Sequence, residues 1–576
     1  MTNYQFTGGT ICAPATIPGT GAISIIRVSG KESLAIADKV IDTKGVPIAE
    51  TEGYRLRYGT VFEADGSVLD NVIVSVFRAP HSYTGENSVE ISCHASRFIV
   101  NKILELLVNA GARIAAPGEF TRRAFVNGKM DLAQAEAVAD VIASQSAASH
   151  RVAMNQLKGG FSSELKVLRE KLLTMTSLLE LELDFSEEDV EFASRKELGQ
   201  LVDDSLTHIR RLTASFSRGN AIKNGVPVAI VGATNTGKST LLNALLGEER
   251  AIVSDIAGTT RDTIEETLNI DGILFRFIDT AGIRETDETI EKIGIDRTFK
   301  KLGEATVVLG MTDLSRGEAA VLEDADFILS KVNEMGGVKN VGTENDGAET
   351  GEAALAETDE TTLAETGGAA MAETDETTLA ETGGAPMAET GGNSLVETGA
   401  ASQHGHGAGQ ERKVVILVNK CDIAGDFYGD ENGVGGGSGN DLGEEMAVSG
   451  DNKNVNQDNN IVSLIENKYD NCKIIPISAK TGKGLSTLTK TLGEIGSEIT
   501  GSTDETLVTN VRHYEALVRA ASALERVRAG LYIATLPPDL IAQDLREALY
   551  HLGEIVGEIT TDETLGNIFR NFCIGK

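Results

Sequence analysis

Four short motifs occur in a fixed order along the chain, and they constrain its fold more than any other feature. GATNTGKS begins at Gly232, GTTRD at Gly258, DTAG at Asp279 and NKCD at Asn419. A glycine-bearing loop that ends in Lys-Ser is suited to cradle phosphates, and the later motifs are suited to hold Mg²⁺ and a purine base. Each motif alone is weak evidence, but the ordered set predicts an α/β P-loop domain that binds and hydrolyses GTP.

The first motif has the local context that a phosphate-binding loop requires. An apolar strand precedes it at Val228–Val231, and a helix with leucines on one face follows it. Lys238 is predicted to reach the β- and γ-phosphates as a catalytic group, and the Ser239 hydroxyl to bind Mg²⁺. The predicted nucleotide contacts here are Asn235, Thr236, Gly237, Lys238, Ser239 and Thr240.

The second and third motifs are predicted to close on the γ-phosphate. Asp279 follows the strand-like run ILFRFID, where an outer-sphere carboxylate for Mg²⁺ is expected, and the Gly282 N–H would sense the γ-phosphate. Thr260 is the predicted switch hydroxyl on Mg²⁺. The predicted contacts are Ser254, Asp255, Ile256, Ala257, Gly258, Thr259, Thr260, Asp279, Thr280, Ala281 and Gly282.

The NKCD motif and a later SAK segment are predicted to hold the base. Asp422 can accept two hydrogen bonds from guanine, whereas adenine would leave that carboxylate unpaired. SAK follows the apolar run KIIPI and fits a loop behind the base, with a plain surface loop as the alternative. The predicted contacts are Asn419, Lys420, Asp422, Ser478, Ala479 and Lys480.

The residue after DTAG is unusual for a GTP hydrolase. Many such enzymes carry a Gln there to orient the attacking water, but this chain has Ile283, which cannot hydrogen-bond to water. Another group must therefore position the water. The next loop offers Glu285, Asp287, Glu288 and Glu291, most of which we expect to be simply solvated.

The negative charge of the chain is concentrated in two segments. The net charge is −34, which disfavours nucleic acid, but residues 336–412 hold 15 acidic and 2 basic residues and residues 424–460 hold 8 and 1. Both segments are rich in Gly and acids, and the first contains the repeat AETDETTLAETGGAAM. Such segments cannot bury enough apolar surface to fold, so we predict two disordered insertions that flank the NKCD strand.

The remaining composition indicates a cytoplasmic protein of several domains. A chain of 576 residues is too long for one domain, no run of apolar residues is long enough to span a membrane, and no signal peptide precedes the first strand. The five cysteines lack metal-ligand spacing. Cys12, Cys93, Cys421 and Cys472 are predicted to be small packing residues.

Residue periodicity divides the chain into an N-terminal α+β part and a helical part interrupted by the nucleotide motifs. ISIIRVSG, NVIVSVF and SVEISCH alternate as strands do, and a helix follows that ends at Gly111. Helical periodicity runs on from Met130 and returns at 510–572, with a break at Pro537–Pro538. The predicted domains are 1–125 (α+β), 126–222 with 500–576 (α-helical) and 223–499 (inserted α/β, Ras-like).

Taken together, these segments resemble the tRNA-modification GTPase family MnmE, also called TrmE. The resemblance covers nearly the whole chain except the two acidic segments, and its most specific element is FCIGK at residues 572–576. IPGTGAISIIRVSG, YTGENSVEISCH, APGEFTRRAFVNGKMDLAQAEAVADVI and DIAGTTRD support it. Ribosome-assembly GTPases share the nucleotide motifs but lack this N-terminal part and the CIGK end.

The resemblance implies an N-terminal domain that dimerises and binds 5-formyl- or 5,10-methylene-tetrahydrofolate. It also implies an FAD-dependent MnmG-type partner, joined in a heterotetramer that places an aminomethyl or carboxymethylaminomethyl group on C5 of the wobble uridine of tRNA. The alternative is a GTP-controlled scaffold that gates a partner enzyme without one-carbon chemistry. That alternative is motivated by Ala95 and Ser96, which follow His94 where the family has Gly-Gly.

Particular residues take roles only through this resemblance. Arg27, Glu90, Lys129 and Lys576 would contact the folate, with solvated surface charge as the alternative for the first three. Cys573 would be a reactive thiol of the catalytic site, and packing is an equal alternative. Glu291 would position the attacking water. The implied K⁺ ligands are Asn235, Ser254, Ile256 and Thr259.

Contacts to tRNA are harder to locate in the sequence. Arg122–Arg123 and Arg210–Arg211 are candidate phosphate contacts, although short basic pairs usually lie on a solvated surface. The chain has no Trp. Base stacking by this protein is therefore not expected.

Overall fold

The structure is a computed structural model in which part of the chain is described. Its ranges are 8–184, 195–249, 266–278, 305–334, 412–422, 472–501, 505–533 and 537–570, with the single residues 303, 468, 572 and 575.

A seven-stranded sheet forms the N-terminal part. Its strands are β1 Ile11–Pro14, β2 Ile23–Ser29, β3 Ile41–Asp42, β4 Arg55–Phe62, β5 Val68–Phe77, β6 Ser88–His94 and β7 Arg113–Ile114. They lie in the order β3-β4-β5-β6-β2-β1-β7, and neighbours are antiparallel except β1 and β7. The three strands read from alternating residues are confirmed as β2, β5 and β6.

Two helices cover one face of this sheet. They are α1 Ser33–Val40 and α2 Arg97–Asn109, and α2 gives way to Gly111, whose φ of 116° suits glycine. The core between helices and sheet contains Val74, Ile91 and Leu107, all fully buried. Because side chains alternate along a strand, Arg27 and Glu90 lie on the opposite face, where their strands pair them directly.

Nine helices on either side of residues 226–500 form the helical part of the described chain. The first group is α3 Glu119–Val126, α4 Leu132–Ala143, α5 Ala147–Leu157, α6 Gly160–Asp184, α7 Arg195–Ala214 and α8 Phe216–Asn224. The second group is α12 Val511–Leu531, α13 Pro538–Val556 and α14 Asp562–Arg570, numbered after the three helices of the six-stranded sheet. Leucines such as Leu172, Leu206, Leu517 and Leu545 join both groups in one core.

The predicted break at Pro537–Pro538 is confirmed, because α13 begins at Pro538. A second break was not predicted. Helix α13 ends at Gly557, whose φ is 86°, and α14 begins only at Asp562. A left-handed glycine after the last turn is a common helix stop, so the single continuous segment expected up to Phe572 was wrong at this point.

A six-stranded sheet lies between α8 and α12 in the chain. Its strands are β8 Val226–Gly232, β9 Glu266–Ile270, β10 Ile273–Phe277, β11 Val307–Asp313, β12 Lys413–Asn419 and β13 Lys473–Pro476. The order is β13-β12-β11-β8-β10-β9, and every pair is parallel except β9 with β10. Its helices are α9 Lys238–Glu249, α10 Glu318–Glu334 and α11 Leu485–Thr500.

These observations agree with the predicted fold class at the level of several α/β and α-helical parts. The apolar runs of β11 and β12 are buried on both faces, as expected for central parallel strands covered by helices. The domain boundaries given above stay predictions. Both predicted insertions and the repeat lie outside the described residues, except Arg412 at the end of the first insertion, which is buried.

A buried ion pair joins the two helical groups. Glu136 of α4 contacts Arg512 Nη2 at 2.9 Å and His513 Nε2 at 2.6 Å, and the Glu136 side chain is 8% exposed. Burial alone would raise the pKa of Glu136, but His513 and Arg512 hold it at about 2. The stabilisation is therefore complete above the ordinary pKa of 4.5 and is lost as the pH falls towards about 2.

Replacement of Glu136 by Gln tests this junction. The variant leaves the Arg512 guanidinium without its anion, and breaking a buried pair costs about 3 kcal/mol or more. We expect a clear fall in the urea midpoint of the helical transition, followed by circular dichroism. Glu515→Gln, on the exposed face of α12, is the matched control. Equal midpoints for the two variants would contradict the assigned role of Glu136.

Candidate functional site

The GATNTGKS segment forms a tight loop between β8 and α9, as predicted. Gly232 and Gly237 have φ of 155° and 97°, which only glycine adopts readily. A Cβ on Gly232 would overlap the Met311 carbonyl oxygen, and one on Gly237 would overlap the Asn419 side-chain nitrogen. Both glycines are therefore required by close approach as well as by backbone conformation.

The Lys238 amine is folded back onto the loop itself. Its Nζ donates to the carbonyl oxygens of Gly232 at 2.9 Å and Ala233 at 2.7 Å. Burial lowers the pKa of Lys238. The Lys238 amine thus lies within the glycine loop, whose backbone is expected to surround the phosphates.

Residues on either side of Lys238 differ in exposure. Asn235 is exposed and has a left-handed backbone with φ of 62°, a conformation that Asn tolerates better than most residues. Thr236 is fully buried and donates to the Ala233 carbonyl oxygen at 2.9 Å. Ser239 and Thr240 lie in the first turn of α9, half-buried and exposed respectively.

Asn419 joins the three described loops of this site. Its Nδ2 donates to the Thr236 carbonyl oxygen at 2.7 Å, and its Oδ1 accepts from the Ala479 N–H at 3.0 Å. Ser478 is fully buried, and its hydroxyl oxygen accepts from the Thr481 N–H at 3.3 Å. The structure therefore brings the glycine loop, NKCD and SAK together, which the weak SAK motif alone could not establish.

The ends of the base-reading segments remain accessible. Asp422 and Lys480 are exposed, while Lys420 is half-buried. The loops that carry them follow β12 and β13 at the carboxyl edge of the sheet, the edge at which parallel α/β sheets bind ligands.

Several predicted site residues lie outside the described residues. Strand β10 is confirmed and ends at Phe277, just before the third motif. The residues concerned are Ser254, Asp255, Ile256, Ala257, Gly258, Thr259, Thr260, Asp279, Thr280, Ala281, Gly282, Ile283, Glu285, Asp287, Glu288, Glu291, Cys573 and Lys576. Their roles stay predictions.

A second site lies on the face of the N-terminal sheet opposite α1 and α2. Arg27 Nε and Nη2 both lie 2.9 Å from Glu90 Oε1. The two side chains are 18% and 25% exposed, so the pair is largely but not fully removed from water. The structure thus brings together two of the residues assigned to a folate.

Aromatic side chains hold the Arg27 guanidinium in place. It lies 5.1 Å from the centroid of Tyr83 and 5.6 Å from that of Phe120, within cation–π range. The Tyr83 hydroxyl is 2.8 Å from the Thr121 hydroxyl. Sequence reasoning missed Tyr83 and Phe120, because neither lies near Arg27 in the chain and no spacing rule connects them.

The C-terminal segment returns to this pair. Arg27 Nη1 is 3.5 Å from the Gly575 carbonyl oxygen, and a Cβ on Gly575 would overlap the Pro14 carbonyl oxygen. Phe572 packs against Phe569, with ring centroids 5.2 Å apart. Gly575 therefore lies beside the N-terminal sheet, whereas Lys576, which was assigned to the same site, lies outside the described residues.

The Lys129 side chain contacts the segment that carries Tyr83, rather than Arg27 or Glu90. Its Nζ donates to the Pro80 carbonyl oxygen at 3.1 Å, and the amine is exposed. Gly85 lies against its side-chain carbons. The Lys129 amine is thus available to bind an anionic group beside this segment.

Ala95 and Ser96 do not crowd the Arg27–Glu90 pair. They follow β6 directly, and neither has a left-handed backbone, so side chains are tolerated there. Ser96 is the N-cap residue of α2. At about 3.3 Å per residue, Ala95 lies about 16 Å along the strand from Glu90.

The candidate phosphate contacts Arg122 and Arg123 were wrong. Arg123 is 2% exposed and pairs with Glu86 and Glu119, and Arg122 is 9% exposed. Both side chains are buried between α3 and the residues packed against it, so they are not accessible to an RNA phosphate. Arg210 and Arg211 are exposed but pair with Glu525 and Glu164.

The cysteine predictions are confirmed where the structure describes them. Burial raises the pKa of Cys12, Cys93 and Cys472 to about 11, so these thiols are protonated and unreactive at neutral pH. Cys421 is buried. Within the described ranges no group of three or more His, Cys, Asp or Glu side chains is placed to hold a metal ion, and no helix is long and apolar enough to cross a membrane.

Loops gathered at the carboxyl edge of a parallel sheet, with a lysine-bearing glycine loop among them, are typical of a nucleotide-binding α/β protein. Two family models match the chain: the MnmE helical domain over residues 132–573 and the GTP-binding protein TrmE N-terminus over residues 10–129. The chain therefore belongs to the tRNA modification GTPase MnmE family, and with it to the GTP-hydrolysing enzymes.

Relatives support this membership along the whole chain. A tRNA modification GTPase MnmE of Parabacteroides distasonis is 43% identical over 570 residues, covering 98% of this chain and 100% of that protein. The protein of that name from Bacteroides thetaiotaomicron is 43% identical, covering 98% and 99%. That of Porphyromonas gingivalis is 40% identical over 578 residues, covering 100% and 99%.

Gly237→Ala tests the close approach at the glycine loop. The added methyl group would overlap Asn419 and strain a backbone at φ of 97°, so the junction of the three loops must open. We expect the dissociation constant for GDP to rise at least about tenfold in equilibrium titrations.

Gly247→Ala is the matched control, because this α9 glycine is exposed with nothing within 4 Å of its Cβ position. Alanine is the better helix former, so nucleotide affinity should not change. Equal affinities for the two variants would contradict the assigned role of the loop.

Proposed function

We propose that the protein is the K⁺-stimulated GTPase of a tRNA wobble-uridine modifying complex. It would use a tetrahydrofolate one-carbon donor and an FAD-dependent MnmG-type partner to build an aminomethyl or carboxymethylaminomethyl group at C5. The observation that carries this proposal is the return of the C-terminal segment, at Gly575, to the Arg27–Glu90 pair. One chain then holds an assembled nucleotide site and a separate site with the charges that a folate requires.

The residues present fit a folate chemically. Arg27 occupies one oxygen of Glu90, and the other, Oε2, can accept from the N–H donors of a pterin ring. The exposed amine of Lys129 suits a carboxylate of the glutamate tail. When bound, the folate supplies the one-carbon unit; these side chains bind and orient it, with Lys576 and Cys573 as further proposed members of the site.

The two described residues of the proposed cation sites, Ser239 and Asn235, have side chains that suit Mg²⁺ and K⁺. Ser239 offers a hydroxyl oxygen beside Lys238 at the start of α9, and Thr260 is its proposed partner on Mg²⁺. The exposed Asn235 offers an amide oxygen for K⁺, with Ser254, Ile256 and Thr259 as the other proposed ligands. Bound cations would offset phosphate charge, and Glu291 would orient the attacking water that Ile283 cannot.

The exposed part of the sheet face opposite α1 and α2 also suits a homodimer. Leu56 and Tyr58 of β4 and Ile23 of β2 are about two-thirds exposed, and Ile73 pairs with Tyr58 across the strands. An apolar group of this kind beside a binding site is typical of a protein interface. The strand pairing places Leu56 in one lateral row with Glu90, so a partner copy would adjoin the folate site.

The last part of the proposal is that the protein acts on tRNA in the cytoplasm. The four described cysteines are free thiols, as expected in a reducing compartment.

The GTP-controlled scaffold is less well supported, because its motivation was crowding by Ala95 and Ser96. These residues lie away from Arg27 and Glu90.

The test is GTP hydrolysis by the full chain in K⁺ and in Na⁺ at matched ionic strength. We expect strong stimulation by K⁺, and loss of at least about a hundredfold in kcat on Glu291→Ala because the attacking water is no longer oriented. Glu288→Ala, in the same acidic loop, is the control and should retain the wild-type rate. Equal rates in both salts would refute the cation mechanism.

A further inference from the structure

Lys420, the second residue of NKCD, has an anionic partner that no motif assigns. Its Nζ donates to Asp313 Oδ2 at 2.6 Å. The Asp313 side chain is only 6% exposed and that of Lys420 is 30% exposed. A pair this sheltered from water differs from surface ion pairs, which contribute little.

Asp313 stands directly beside the guanine-reading loop. It ends β11, and the parallel register pairs it with Asn419 at the end of β12. Its second oxygen, Oδ1, accepts from the Ser315 N–H at 3.0 Å and the Ser315 hydroxyl at 2.6 Å. One oxygen of the Asp313 carboxylate thus accepts hydrogen bonds from the following turn, and the other accepts from Lys420 Nζ.

Lys420 needs such a partner for two physical reasons. Its backbone has φ of 67°, a left-handed conformation that is unfavourable for a residue with a long side chain. A lysine side chain also loses much rotamer entropy when it is fixed, so an unanchored stem would sample many positions. Anchoring Nζ restricts the four-carbon stem of Lys420 to fewer positions.

We propose that Asp313 is a positioning residue for guanine nucleotide binding: it holds Lys420 so that the aliphatic stem forms one wall of the base site. The inference rests on the proposed assignment of NKCD as the guanine loop. No sequence motif points to this role, because Asp313 in the run MTDLS precedes NKCD by more than 100 residues, across the first acidic segment.

Asp313→Asn isolates the charge, because the amide oxygen still accepts from Ser315 while Lys420 loses its anion. Fluorescent GDP binding to the full chain is measured by equilibrium titration and stopped flow. We expect the dissociation constant to rise about tenfold through a faster off-rate, with kcat at saturating GTP unchanged. Ser315→Ala keeps the ion pair and removes only a hydroxyl, so its affinity should match wild type.

A double-mutant cycle then separates positioning from a purely structural role. Lys420→Ala should weaken GDP binding, and adding Asp313→Asn to it should cost nothing more. ITP lacks the guanine amino group that Asp422 would read. On Asp313→Asn, the affinity for ITP should fall by the same factor as the affinity for GTP.

Three results would overturn the inference, and the third is distinguishable from the first two. Affinity within twofold of wild type for Asp313→Asn, or a further loss in the Lys420→Ala background, would show that Asp313 acts elsewhere, while the guanine loop assignment stands. Unchanged affinity for Lys420→Ala would remove the guanine loop assignment itself, and the positioning role with it. Circular dichroism melting of each variant confirms that a loss does not reflect unfolding.

Discussion

The Arg27–Glu90 ion pair lies where the N-terminal sheet meets the C-terminal segment. It lies on the sheet face opposite α1 and α2, and its two side chains are largely but not fully removed from water. Tyr83 and Phe120 enclose the guanidinium, and the Gly575 carbonyl oxygen adds a distant acceptor. The first and last segments of the chain are thereby brought to one place.

The helical part connects that place to the nucleotide loops. Its two groups come from opposite sides of the six-stranded sheet in the sequence, and the Glu136–Arg512 pair joins them inside their common core. At the other end, Asn419 bonds to both the glycine loop and SAK, so the nucleotide loops form one connected unit. Each site is therefore assembled by contacts between segments far apart in the chain.

Local pattern predicted the elements better than it predicted their contacts. Alternation identified β2, β5 and β6, and proline identified the start of α13, because these signals act within a few residues. The break at Gly557 was missed, since a single glycine inside a periodic run is ambiguous. Arg122 and Arg123 were misread as surface cations, because a basic pair carries no sign that Glu86 and Glu119 surround it. Ordered motifs located the nucleotide loops, but Tyr83, Phe120 and Asp313 depend on tertiary proximity.

The central claim is that the Arg27–Glu90 pair binds a reduced folate, and calorimetric titration of the full chain with 5-formyl-tetrahydrofolate tests it most directly. The account predicts a dissociation constant in the micromolar range, weakened about tenfold or more by Arg27→Ala because the ion pair and its cation are lost. Arg55→Ala, at an exposed pair with Glu52 on the same sheet, should bind as wild type does. No measurable heat with the wild-type protein, or equal binding by Arg27→Ala, would contradict the claim.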